Sequence, residues 1–147
     1  MDFLAIVIAV VLFVVSVIHF AWAFGSNWPA DNEQELARMV VGTPSITKMP
    51  PRALTGFIAF GILAAALVPL MWRGLVPYPQ SLPQTLLWLA MWTLAIVFIA
   101  RGIAAYLPIM ADLEEPFASR NRRYFSPLIL LIGAGYLALV LAPVWVA

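Results

Sequence analysis

Among the few polar side chains inside long apolar runs, two stand out for the chemistry they could carry: His19 and Arg101. An imidazole can move a proton or ligate a metal. A guanidinium presents five N–H donors in a fixed fork that suits a carboxylate or a phosphate. His19 is the only histidine and there is no cysteine, which removes thiolate catalysis, disulfides and Cys-ligated metal. No metal site is expected. The apolar runs hold no acidic residue, which argues against a proton-coupled relay and leaves few acid–base options for an enzyme.

His19 lies about one helical turn from the end of its run. Arg101 lies roughly 8 Å past the middle of its own. The two are therefore expected at comparable depth, in a shared pocket with Trp22, Asn27, Tyr106 and Tyr124 as the nearest lining candidates. A charge at that depth costs about 2.5–3.5 kcal/mol, less nearer the interface. One reading has Arg101 snorkel to the headgroups. The other has it anchor an anion: a lipid phosphate, a substrate carboxylate, or Glu114 or Glu115 folding back. His19 reads as a hydrogen-bonded packing group or as a ligand-binding one. Haem or chlorin ligation through His19 would need a methionine or a partner's residue as second haem ligand; no cofactor is otherwise expected.

Four elements must position these groups. Apolar runs cover about 3–24, 53–72, 84–107 and 127–146, each long enough as a helix to cross a hydrocarbon core about 30 Å thick. Of the 147 residues, 64% are hydrophobic and 10% charged. A soluble domain carries about 25% charged residues, so these helices face lipid. The expected fold is all-α: one integral membrane domain over 1–147, a bundle of four transmembrane helices. A net charge of +1 gives no sign of nucleic-acid binding. The first run lacks a positive n-region and is long for a signal peptide, so it reads as a retained helix.

The first loop is expected to hold a short amphipathic helix at the membrane interface. Asp31 would cap it with Gln34 reaching back, Leu36, Met39 and Val40 would form its apolar stripe, and Gly42 with Thr43-Pro44 would stop it. Gly61 and Ala65 form a small-xxx-small pair, and Pro69 sits where it can kink the second helix. Trp72, Trp88, Trp92 and Trp145 are expected at one level as an aromatic belt. Ser126 and Pro127 read as the cap and first turn of the last helix, where Gly133 and Gly135 leave a thin waist.

Arg38, Lys48 and Arg52 lie in the first connection and Arg120, Arg122 and Arg123 in the third, against Arg73 alone in the second. The positive-inside rule then places connections one and three in the cytoplasm of a bacterial inner membrane, with both termini outside. The third cluster is expected to dock lipid headgroups or a partner's acidic surface.

The run His19-Phe20-Ala21-Trp22-Ala23 with Gly25 and Trp28, then Arg101-Gly102-Ile103, then Phe117-Ala118 leading into Asn121-Arg122-Arg123-Tyr124-Phe125-Ser126-Pro127-Leu128, resembles a family of small bacterial four-helix membrane proteins catalogued as domain of unknown function 3995. The resemblance spans nearly the whole chain. Ala104-Ala105 stand where that pattern has Gly-Asp, and Ile129 where a cysteine is common. The resemblance implies fold and location and carries no activity. The leading functional expectation is an accessory subunit of a larger membrane complex, in contact with lipids and with a membrane protein partner or a second copy. The alternative is a small-molecule or lipid binder, or a transporter, working at the His19/Arg101 level.

Overall fold

A computed structural model describes residues 1–79 and 81–142. Among these, all regular structure is helical: α1 (Asp2–Ala23), α2 (Glu33–Val40), α3 (Arg52–Trp72), α4 (Gln84–Ala104), α5 (Phe117–Arg120) and α6 (Ser126–Leu141). Four rods are long and apolar enough to cross a membrane, namely α1, α3, α4 and the continuous stretch Phe117–Leu141. α1 packs along α3 and α4 along α6, with sparser contacts joining the two pairs. Small side chains make the first pairing close: Ala5, Ala9, Ala59 and Ala66 are buried. In the second, a Cβ on Gly133 would stand 2.9 Å from the Ile99 backbone nitrogen, and one on Gly102 would stand 2.5 Å from Leu130 Cγ. The shared core gathers Ile8, Leu12, Met91, Ile132, Tyr136 and Leu139, with the Phe98 and Tyr136 rings stacked at 5.6 Å.

The last span begins earlier than its Ser-Pro signal predicts. Ser126 caps nothing: its hydroxyl donates to Asn121 Oδ1 at 3.3 Å, and the helix runs on from Phe117 through a π-helical turn at Asn121–Phe125. Pro127 explains the wide turn. It has no N–H, and its ring excludes the carbonyl four residues back. The i−5 register carries the chain past it, leaving the Arg122 carbonyl without a helical donor; the Tyr106 hydroxyl donates there at 2.8 Å. Pro69 does the same to the Ala65 carbonyl, which receives the buried Tyr136 hydroxyl at 2.5 Å. The Leu139 carbonyl lies in the last turn of α6, where helical donors run out; Trp72 Nε1 donates to it at 3.1 Å.

Other local expectations need correction. α2 is capped by Asn32, not Asp31: Asn32 Oδ1 accepts the Glu35 N–H at 2.9 Å, and Glu35, not Gln34, reaches back to the Asp31 N–H at 3.3 Å. The two candidate caps are adjacent, and the extended backbone of Asn32 selects it. α2 buries Leu36 and Ala37 completely and packs against α5. Gly61 and Ala65 do not serve one contact, since Ala65 is buried while a Cβ on Gly61 would meet only open space. α4 ends at Ala104 rather than 107. Trp72 ends α3 and Trp88 lies in the second turn of α4, but Trp92 stands near the middle of α4, packed against the core, so it does not join them in one belt. Trp145 and the tail of the 127–146 run lie outside the described residues.

Candidate functional site

α1 stops at a Schellman turn. Gly25, with φ +96°, closes it, its N–H on the Trp22 carbonyl and the Ser26 N–H on the Ala21 carbonyl. That turn leaves His19 in the last full turn and sends the chain back, so that the Trp28 carbonyl accepts Trp22 Nε1 at 2.7 Å. Trp22 in turn lies against the imidazole, ring centroids 4.9 Å apart. His19 Nδ1 stands 2.8 Å from the Val15 carbonyl. A carbonyl only accepts, so Nδ1 carries the proton and Nε2 is left free to accept.

Arg101 occupies the last turn of α4, nearer the helix end than the sequence suggests because α4 is three residues shorter. The free carbonyls there favour a cation. Its immediate partners are neutral: Nη2 donates to Asn121 Oδ1 at 3.2 Å and Nη1 approaches Met110 Sδ at 3.8 Å. Asn121 is 1% exposed. It is fixed by Ser126 at one oxygen and by Met110 at its amide nitrogen. The expected return of Glu114 or Glu115 to Arg101 does not occur. Glu115 accepts the N–H and O–H of Ser119 at 3.3 and 2.6 Å, and Glu114 gives its backbone N–H to the Gly42 carbonyl at 2.8 Å. Among the described residues Arg101 has no carboxylate partner; the one ion pair is Arg73–Asp2, at the opposite end.

His19, Trp22 and Arg101 line one cavity of about 470 Å³. Its roof comes from both connections on that side: Val40, Val41 and Met49 from the first, Ile109, Met110 and Leu113 from the third. The two are clasped by the Glu114–Gly42 bond and by Phe117 pressed against Gly42, whose φ is +67°. Thr55 lines the wall, its hydroxyl spent on the Pro51 carbonyl at 3.3 Å. The chamber is thus apolar with two polar points, a guanidinium with three of its five N–H groups unengaged and a bare imidazole nitrogen. No carboxylate lines it.

The other expected lining residues lie elsewhere. The Asn27 carbonyl closes the turn after α1 on the Ala30 N–H. Tyr106 serves the Arg122 carbonyl. Tyr124 is exposed beneath the Arg123 guanidinium, 5.5 Å from its ring centroid. The cluster Arg120, Arg122 and Arg123 is helical, with Arg122 and Arg123 exposed and Arg120 half-buried. Asn121 and Met110 escaped the sequence reading, since nothing marks an asparagine among arginines as an internal partner until the helix is known to continue through it. No group of three or more His, Asp or Glu residues gathers to hold a metal among the described residues. As haem ligands the cavity offers His19 and the thioethers of Met49 and Met110.

The sequence model of a family described as "Protein of unknown function (DUF3995)" matches residues 12–136. No curated protein and no solved structure matches the chain.

Proposed function

The chain belongs to that family, and from this premise we propose that it is a membrane-embedded binding protein for a small amphiphile with an anionic head, the head on Arg101 and the apolar body in the chamber above it. One observation carries the reading. A guanidinium in a spanning helix hydrogen-bonds only to neutral acceptors and lines a cavity that has no carboxylate in its wall. The half-buried guanidinium has no carboxylate partner among the described residues, and a bound carboxylate or phosphate supplies the counter-ion. His19 Nε2, free to accept, offers a second polar contact to a hydroxyl or amide donor elsewhere on the ligand.

The test is purification in mild detergent followed by native mass spectrometry and extraction of whatever remains bound. The wild-type chain is expected to retain an acidic amphiphile. Arg101→Gln, which removes the charge and keeps a polar side chain, is expected to weaken retention about 10- to 100-fold. Equal retention by both would sink the proposal. A Soret band abolished by His19→Gln would assign the cavity to haem instead.

A second reading, an accessory subunit of a larger membrane complex, draws on α3. Gly61 is exposed with open space around it and Ala64 is exposed beside it, the kind of face another helix approaches closely. A stoichiometric partner in the same purification would support it. For either reading we assign the His19/Arg101 end to the cytoplasm of a bacterial inner membrane, because six of the eight basic residues lie in the connections at that end.

A further inference from the structure

A second cleft, of about 450 Å³, opens between α2 and α5. It shares no lining residue with the Arg101 cavity. Arg38 of α2 and Arg120 of α5 both line it, and among the described residues neither has a carboxylate within 4.0 Å. The cleft has one acid, Glu35, and its Oε2 is committed to the Asp31 N–H in the cap of α2. Asn32 spends its oxygen on the Glu35 N–H, which leaves its amide NH2 as a donor at the same mouth. Gln34 offers another. Donors therefore outnumber acceptors, and two of them are guanidinia approaching from different elements. That is the donor set for a phosphate oxyanion.

Depth identifies the source. The rod Phe117–Leu141 has 25 residues, about 37 Å of helix against a hydrocarbon core about 30 Å thick. Its charged residues, Arg120, Arg122 and Arg123, all fall in the first two turns, and its other end is apolar. The excess length is therefore assigned to the first turn, which reaches the level of lipid phosphates and carries Arg120. Met39 and Pro116 give the cleft an apolar rim for the glycerol carbons below a headgroup. We propose that the α2–α5 cleft holds the phosphate of an anionic bilayer lipid, clamped between Arg38 and Arg120.

The experiment reconstitutes the full chain in nanodiscs of phosphatidylglycerol mixed with phosphatidylcholine and reads by native mass spectrometry which lipid stays bound. The wild-type chain retains phosphatidylglycerol selectively. Arg38→Gln with Arg120→Gln lowers that preference about 30-fold. Arg122→Gln with Arg123→Gln, removing the same charge from exposed positions nearby, leaves most of it. If the double variant does not fold, by circular dichroism, Arg38→Gln alone on α2 is read for about a fivefold drop. An unchanged preference overturns the site, as does an equal loss from the two arginine pairs, which would mean a diffuse surface potential. Displacement of the lipid by inorganic phosphate overturns the lipid as its occupant.

Discussion

Pro69 carries no N–H, so the Ala65 carbonyl would face hydrocarbon unpaired without the Tyr136 hydroxyl. In lipid no water can replace that donor, and an unsatisfied carbonyl costs several kcal/mol against a fully paired one. Measured side-chain hydrogen bonds between spanning helices return less, about 0.6 to 2 kcal/mol. Tyr136→Phe is therefore expected to destabilise the bundle by about 1–2 kcal/mol, read by unfolding in mixed micelles. Tyr106→Phe removes a bond of the same kind, to the Arg122 carbonyl, but Tyr106 is 53% exposed. Water can take over there, and the expected cost is about 0.5 kcal/mol or less. The proline is the cause, so it is also the control. In a Pro69→Ala background the helix supplies its own N–H to Ala65, and the penalty of Tyr136→Phe should shrink. A penalty unchanged by Pro69→Ala would mean that ring packing, not the carbonyl, is what Tyr136 serves.

Between elements the two close pairings differ in how they come near. α1 and α3 meet through alanines and the Ser16 hydroxyl on the Ala59 carbonyl at 2.8 Å. α4 and α6 meet through glycine against backbone. The Ile99 nitrogen cannot move aside for a methyl group at Gly133, so Gly133→Ala is expected to push the helices apart and cost about 1–3 kcal/mol. Gly61→Ala meets nothing and should gain up to about 1 kcal/mol from helix propensity. If both substitutions prove neutral in the same unfolding assay, the α4–α6 approach is looser than described. The extent of α1, α3 and most of α4 was legible because long apolar runs leave no other solvent. The start of the last span was not, because Ser126-Pro127 obeys a local start rule that tertiary structure overrides with a π turn. The cap of α2 was missed by one residue for a related reason: Asp31 and Asn32 are equally good acceptors, and backbone conformation alone separates them. His19 and Arg101 could be brought together from depth in their helices. Asn121 could not, since its role depends on a helix crossing a stretch that reads as a charged loop.

Most of the polar chemistry among the described residues collects at one end, and a clasp between the two connections there joins the packing of α2 on α5 in holding that end together. The first connection gives the Gly42 carbonyl and the third gives the Glu114 N–H, while Phe117 fills the space a side chain at Gly42 would need. A Cβ there would stand 2.5 Å from Phe117 Cβ, and a φ of +67° adds about 1–2 kcal/mol for a residue other than glycine. Gly42→Val therefore cannot keep the clasp. Both halves of the cavity roof hang from it, Val40 and Val41 on one side and Ile109, Met110 and Leu113 on the other, so the roof should part while the four spans stay paired. The expected result is faster proteolysis in the two connections and loss of whatever the cavity retains, with helical content preserved. The opposite pattern, intact connections and disrupted helices, would show that Gly42 supports the bundle as a whole and that the roof does not open independently of it.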